Sequence, residues 1–435
     1  MGPDVRGRAS AGPVQHSRAV VALALAALAL GGFAIGTTEF VASGLLPDIA
    51  RELLPQAYAA SRSQAIAQAG VLVSAYAAGV VVGAPVLAAV TARLPRKTVL
   101  LGLLVVFVLA TVATAVLPGF GLVVAARFVA GLPHGAYFGI ATVAASELLG
   151  PGRRGQAAAS VLLGLTIANI VGVPAVTAIG QTAGWRVAYL VVAAAFALTF
   201  VAVLIAVPKG PGDPAATIGS ELRAFARVQV WLAVALGAIG FGGLFAAYTY
   251  VAPITTDVTG LSASAVPIVL IVFGVGMTVG NIASGRFVDR GIRRSVIAGF
   301  IGTLLALVVL LVGARTVVGL FAGVFLIGVF ASVLGPAIQV RLMDVAAGST
   351  TIAAASTHSA LNIGNSLGAA LGAVTIAAGL GYLSPIAVGI GVTAIGLLIA
   401  GFAFGIEHRG ASTAASTAAS TTSAAALPGV TGQQG

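Results

Sequence analysis

Apolar stretches of about 20 residues recur twelve times along this chain, separated by short breaks that carry charged residues, proline or glycine. A helix of this length crosses the hydrocarbon core of a lipid bilayer. Only 8% of the residues are charged, whereas a soluble domain carries roughly 25%, so water cannot be the solvent for most of the chain. The sequence therefore predicts an all-α integral membrane protein with twelve transmembrane helices.

The spans fall into two groups of six. In chain order, spans 1 to 12 are predicted at 19–46, 70–90, 99–117, 121–144, 157–179, 188–207, 230–251, 266–285, 296–312, 317–340, 352–380 and 385–404. An N-terminal segment, 1–18, precedes the first six-helix bundle, 19–207. A polar linker, 208–229, leads to the second bundle, 230–404, and an Ala/Ser/Thr-rich tail, 405–435, is predicted to be disordered.

An internal repeat supports the division into two six-helix halves. A shift of 197 residues carries Gly79 onto Gly276 and Gly131 onto Gly328, and it also superimposes basic residues after spans 2 and 8. Chance matching in a chain with 58 glycines is the alternative. Transporters built from two such repeats place their binding site at the interface between the repeats.

The distribution of basic residues predicts the orientation. Most of the 22 Lys and Arg residues fall in segments that face the cytoplasm if the N-terminus is inside, as the positive-inside rule requires. We therefore expect a multi-pass membrane protein with both termini in the cytoplasm. The net charge of +11 comes from short scattered clusters, so a nucleic-acid partner is not expected, and the bilayer is the main partner.

Two ionisable residues lie at membrane depth, where charge is costly and functional roles are common. Glu39 is in span 1 and Arg127 is in span 4, each predicted about 10 Å below the external surface. His134 follows Arg127 on the same helix face. Burial favours a neutral carboxyl and a nearby arginine favours a carboxylate, so small movements could switch the protonation of Glu39. A fixed ion pair beside a hydrogen-bonded histidine is the alternative.

Aromatic and amide side chains at membrane depth predict a cavity for an amphipathic small molecule. The predicted lining residues are Phe33, Thr37, Phe40, Asn169, Phe241, Phe245, Tyr248, Asn281, Asn362 and Asn365. For the aromatic residues, packing or lipid contact is the alternative interpretation. The asparagines could instead form hydrogen bonds between helices.

Short motifs in spans 1, 4 and 5 resemble those of the major facilitator superfamily. They are GTTEF at 36–40, Arg127 with GLPHG at 131–135, and Gly164, Asn169, Gly172, Pro174 and Gly180, followed by GWR at 184–186. The resemblance covers roughly residues 19–404. It is to the drug:proton antiporter branch, with arabinose-efflux-permease-like and chloramphenicol-exporter-like bacterial proteins, and it implies the major facilitator fold.

Two further motifs follow from this resemblance. The loop motif of the family is present as Gly285, Asp289, Arg290, Arg293 and Arg294, and it is degraded after span 2, where Ala92 and Pro95 accompany Arg93, Arg96 and Lys97. The resemblance implies a cytoplasmic latch between the bundles, although a role in topology alone is the alternative. The antiporter motif, Gly164, Gly172, Pro174 and Gly180, implies export, but Val173 separates its glycine from its proline.

The resemblance implies an exporter of a small organic solute, a drug or a sugar, that exchanges it for protons by alternating access. We expect a monomer that is energised by the proton gradient and needs no cofactor or metal. We do not expect an enzyme, since His16, His134, His358 and His408 form no motif and the chain has no cysteine. An uncoupled facilitator and a membrane sensor that transports nothing are the alternatives.

Overall fold

The computed structural model describes residues 17–91, 93–150, 153–210, 228–289, 291–345 and 350–425. Several predictions therefore lie outside the described residues. They are the N-terminal segment up to residue 16, Ala92, the linker from 211 to 227, Arg290, and the tail from 426 onwards.

The described chain is almost entirely helical. Its α-helices are Arg18–Leu53, Pro55–Ala60, Arg62–Ala69, Val71–Thr91, Arg96–Val116, Phe120–Gly131, His134–Leu149, Arg154–Ile167, Val173–Ala183, Trp185–Ala206, Val228–Tyr248, Val251–Pro253, Val266–Asp289, Ile292–Gly313, Val317–Val345, Thr350–Ala377 and Ser384–Ala425. Within these residues, 12 helical stretches are long and apolar enough to cross a membrane. The predicted twelve-helix, all-α membrane fold is confirmed.

Two of the spans are interrupted near the middle. Span 4 is divided into Phe120–Gly131 and His134–Leu149, because Pro133 has no backbone N–H and its ring clashes with the preceding turn. In span 5, a π-helical turn, Ala168–Gly172, precedes Pro174. Such turns are rare and occur frequently at functional sites.

Two helix ends differ from the prediction. Span 1 continues through Pro47 to Leu53, so Glu39 lies nearer the middle of its helix than predicted. The last helix runs to Ala425, whereas the tail from residue 405 is predicted to be disordered. An existing helix extends without a new nucleation step, and the alanines of the tail favour the helical state.

Each six-helix half has its own apolar core. One cluster of buried side chains runs from Ala24 to Val207, within the first half. The other lies in the second half but also includes Phe40, Leu46 and Ile66 from the first. Between the halves, span 2 packs on span 11 and span 5 packs on span 8. Residues on these facing surfaces form the candidate site.

Candidate functional site

Glu39 lies on span 1 where the two halves meet. Its side chain is only 7% exposed. Arg127, from its own half, interacts with it electrostatically, and Asn365, from span 11 of the other half, is a polar neighbour. The carboxyl group therefore lies between polar groups of both halves.

Close packing between spans 1 and 5 positions this turn of span 1. A Cβ atom on Gly164 would lie 2.7 Å from the backbone nitrogen of Phe33, and one on Gly172 would lie 2.9 Å from the Phe33 ring. Gly172 also faces the Thr37 hydroxyl, and Gly180 faces Leu45. The glycines of the antiporter motif are thus contact points that hold span 5 against the helix carrying Glu39.

Arg127 is fully buried, at 1% exposure, and is held by neutral groups. Its Nη1 donates to the Thr38 hydroxyl at 3.1 Å, and its guanidinium carbon lies 4.3 Å from the centre of the Tyr76 ring. Its Nε and Nη2 find no hydrogen-bond partner in the described part of the chain. Nor do the salt bridges of that part join it to Glu39. The two charges are neighbours rather than a bonded pair.

His134 begins the second helix of span 4, on the same side as Arg127. Its Nδ1 is 3.0 Å from the Tyr76 hydroxyl, so one tyrosine contacts both predicted residues. The His134 ring also lies 5.5 Å from the ring of His358, and Phe138 stacks on His358 at 4.8 Å. His358 belongs to span 11, so this aromatic cluster joins the two halves.

Only some of the aromatic residues predicted to line the cavity contact one another. Phe40 stacks on Phe245 at 6.2 Å and meets Tyr248 edge-on at 5.6 Å, across the boundary between the halves. Phe33 instead packs beside Gly172 on span 5. Phe241 lies against Gly364 of span 11.

Three of the predicted asparagines are buried with an unused acceptor. Asn169 and Asn362 each donate from Nδ2 to the backbone carbonyl four residues earlier, at 3.0 Å. This fixes the amide orientation, since only the nitrogen can donate. The Oδ1 atoms of Asn169, Asn362 and Asn365 have no partner among the described groups. Asn281, by contrast, is exposed.

Arg96 and Lys97 of the loop motif contact neighbouring spans of the first half. Arg96 Nε lies 3.6 Å from Glu147 at the end of span 4, and Lys97 Nζ donates to the Leu204 carbonyl of span 6 at 2.8 Å. Arg293 and Arg294 are exposed at the start of span 9. The helix of span 8 contains Gly285 and ends at Asp289. These contacts fasten span 3 to its neighbours.

The predicted external end carries contacts between the halves that sequence reasoning missed. Arg62 forms a salt bridge with Asp257 and donates from Nε to the Tyr58 hydroxyl at 3.0 Å. Gln181 donates to the Ala263 carbonyl at 3.0 Å. Burial, and then the charge of Asp257, raise the pKa of the nearby Tyr382 to about 12, so its phenol stays protonated. No local pattern marks Arg62 and Asp257, since they are far apart in the chain.

Tyr76, Thr38 and His358 were also missed as site residues. A single tyrosine or threonine in an apolar span is ordinary in sequence. In the sequence His358 is one of four scattered histidines, whereas the structure places it against His134. Helical spacing on span 11 supplies a weak signal, because His358, Asn362, Asn365 and Ala369 share one face.

The comparisons with known proteins agree with this fold. A family model described as Major Facilitator Superfamily matches residues 28–290 and, in a second match, 234–432. The inner membrane transport protein YdhP of Escherichia coli (strain K12) is 35% identical over 86% of this chain and 94% of its own length. The chloramphenicol resistance protein of Streptomyces lividans is 34% identical over 87% of this chain and 95% of its own.

Among solved structures, the crystal structure of a D-xylose–proton symporter is similar, with a TM-score of 0.70 and 18% sequence identity. The match covers 88% of this chain and 97% of the symporter chain. At this identity the likeness concerns the fold alone. The fold and the relatives together bear out the predicted resemblance and the expectation of a transporter rather than an enzyme.

Proposed function

This chain belongs to the major facilitator superfamily, and we propose that it exports a small organic solute across the bacterial inner membrane in exchange for protons. As a multi-pass transporter it has the bilayer and a small-molecule substrate as its partners. The proposal adds proton coupling, export, a monomeric state and cytoplasmic termini. The observation that carries it is the buried Glu39, which lies beside Arg127 and contacts Asn365 of the opposite half.

The carboxyl group of Glu39 couples proton binding to the movement of the halves. An ionised Glu39 is attracted to Arg127 and accepts a hydrogen bond from the Asn365 amide. Protonation removes this attraction, because a neutral carboxyl has no Coulomb interaction with the guanidinium. Arg127 remains buried on Tyr76 and Thr38, so its charge stays close to the site in both states. Proton binding from outside and release to the inside would then alternate with the substrate.

The polar and aromatic groups between the halves favour a substrate that is amphipathic. The rings of Phe40, Phe245 and Tyr248 offer apolar surface, and the asparagine Oδ1 atoms offer unused acceptors. A buried acceptor without a partner is costly, so a substrate that donates hydrogen bonds gains free energy there. The name of the chloramphenicol resistance protein adds support for a drug-like molecule that carries hydroxyl groups. A sugar-like solute has the same donors.

Export is supported by the packing of span 5. The antiporter-motif glycines hold this span against span 1, and a π-helical turn interrupts it where it meets span 8. The interruption lets the two ends of span 5 differ in direction. One side of the site can therefore remain packed while the other moves.

The test uses purified protein in proteoliposomes. A thermal-shift screen with chloramphenicol, sugars and nucleosides first identifies a ligand, and uphill transport of that ligand is then driven by an imposed pH gradient. We expect Glu39→Gln to abolish uphill transport while ligand binding is retained. Asp48→Asn is the matched control, since Asp48 is on the same helix but pairs with the exposed Arg51 at its end.

The alternatives correspond to different outcomes. Undiminished uphill transport by Glu39→Gln would refute its role. Transport that does not respond to collapse of the pH gradient would indicate an uncoupled facilitator. Ligand binding without any transport would indicate a sensor on the same fold.

A further inference from the structure

Two histidines, the buried His134 and the partly exposed His358, face each other across the halves and are not used by the mechanism above. His134 is 2% exposed and belongs to the first half, whereas His358 belongs to the second. Their ring centres are 5.5 Å apart, and Phe138 lies against both rings, at 5.3 and 4.8 Å. A Cβ atom on Gly135 would lie 3.9 Å from the Cβ atom of His358, so the two spans also approach each other at this glycine.

We propose that His134 and His358 form a second proton-binding site, which holds the halves together when both imidazoles are neutral and separates them when the pair is charged. This inference rests on the proposed proton coupling. It adds a second site for a proton, which lies nearer the predicted cytoplasmic end than Glu39 does. A lone buried histidine is usually a structural residue, but here two of them meet at the surface that has to open.

The ring nitrogens of the pair are available for protons. His134 uses Nδ1 with the Tyr76 hydroxyl, which can accept an N–H from a charged ring and leaves Nε2 free. In the described part of the chain no hydrogen bond engages the ring of His358, whose backbone carbonyl accepts from Asn362. His358 also keeps partial exposure, so water can deliver or remove a proton on its side.

Span 11 connects this pair to Glu39. His358, Asn362 and Asn365 lie on the face of span 11 that meets the first half, and Asn365 neighbours Glu39. The helical rise places His358 about 10 Å from the level of Asn365, toward the predicted cytoplasmic end. Polar side chains therefore mark a route from Glu39 to the histidines between the halves.

The surroundings disfavour a charged pair in the closed arrangement. The titratable and charged groups that face it in the described structure are Tyr76 from span 2 and, over the Tyr76 ring, Arg127 from span 4. Tyr189 of span 6 and Glu39 of span 1 lie beyond them. Two like charges this close in a site screened from water repel each other strongly. Separation of spans 4 and 11 admits water and relieves that repulsion.

The test needs no substrate. The chain has no cysteine, so Thr142→Cys provides a single site for a nitroxide spin label. Thr142 lies one helical turn beyond Phe138, on the same face and toward the predicted cytoplasmic end. The collision rate of the spin label with a water-soluble paramagnetic nickel complex is measured by electron paramagnetic resonance in proteoliposomes. We expect this rate to rise about threefold or more as the pH falls from about 8 to about 4.5; the range extends below that of free imidazoles because the closed arrangement disfavours a charged pair.

Variants assign the response to the pair. His358→Gln and His134→Gln should each abolish it, and His358→Arg should give the high collision rate at both pH values. His408→Gln, a histidine beyond the twelfth span, is the matched control and should respond like the parent. A response that persists in both glutamine variants, or a low collision rate in His358→Arg, would overturn the proposal. The spin-label response is also measured in the Glu39→Gln variant. The role of Glu39 is tested by transport and the role of the histidine pair by the spin label, so the two proposals can fail independently.

Discussion

At the scale of single residues, Arg127 shows how a charge is kept inside a membrane protein by neutral groups, with no salt bridge to it among the described residues. Its guanidinium lies over the Tyr76 ring, donates a hydrogen bond to Thr38, and has a second ring, Tyr189, at 5.5 Å. A planar, weakly hydrated cation suits such a place, whereas the compact and strongly hydrated ammonium of lysine does not. The proposed proton exchange at Glu39 relies on this arrangement, in which no salt bridge of the described residues joins the two groups.

Replacement of Arg127 by lysine tests this arrangement. Arg127→Lys keeps the charge but loses the contact of the guanidinium with the Tyr76 ring, and a cation–π contact is worth about 1–2 kcal/mol when desolvated. We expect proton-driven uphill transport to fall about tenfold, which corresponds to about 1.4 kcal/mol. Arg315→Lys, at an exposed arginine between spans 9 and 10, is the control. Equal transport by both variants would show that only the charge of Arg127 matters.

At the scale of elements, the closest helix contact near the site is the pairing of spans 1 and 5. Glycines occur on both helices at this contact, so the backbones approach without side chains between them. This contact sets the depth and the direction of Glu39. From the sequence alone, the glycines of span 5 are interpreted only as a motif that implies export.

Replacement of two glycines by alanine distinguishes the effect of helix packing on stability from the effect of helix propensity. Gly164→Ala would push a Cβ atom into the Ala29 carbonyl of span 1, whereas Gly139→Ala meets no atom within 4 Å. We expect Gly164→Ala to destabilise the protein by about 1–3 kcal/mol, as overpacking does, and Gly139→Ala to leave it unchanged or slightly more stable. Thermal unfolding of the two purified variants in detergent measures the difference. Equal melting temperatures would contradict the packing argument.

At the scale of the whole molecule, the two halves are fastened at the predicted external end. The Arg62–Asp257 salt bridge and the Gln181–Ala263 hydrogen bond both join one half to the other. Apolar residues of the segment before span 2, such as Ile66, are buried in the core of the second half. Alternating access requires these contacts to break when the external side opens.

Reversal of the Arg62–Asp257 pair tests this fastening. Ala67→Cys supplies a buried thiol at the same end, 2% exposed, whose alkylation by a maleimide reports opening. Arg62→Asp should increase the alkylation rate about fivefold, since an exposed ion pair contributes up to about 1 kcal/mol and a like-charge pair adds repulsion. The double variant Arg62→Asp, Asp257→Arg should restore slow alkylation. Arg51→Asp is the control, because Arg51 pairs with Asp48 inside one helix. Fast alkylation in this control, or no recovery in the double variant, would argue against a role of the Arg62–Asp257 pair in holding the halves together.

The sequence by itself determined the solvent, the number of spans and the two charged residues at depth. These are local properties: an apolar run either matches the bilayer thickness or does not, and a charge inside such a run is costly wherever the helix packs. The internal repeat and the motifs of spans 1, 4 and 5 were likewise enough to predict the family. Breaks at Pro133 and before Pro174 were not predicted, because proline in a membrane helix can be accommodated without interruption.

Only the tertiary structure decided which side chains meet. Arg127 contacts Tyr76 and Thr38 rather than bonding to Glu39, His134 meets His358, and Arg62 meets Asp257 across the two halves. Each of these contacts joins residues that are distant in the chain. Their partners depend on how helices rotate and pack against one another, and apolar spans of similar composition leave that rotation undetermined until the whole bundle is assembled.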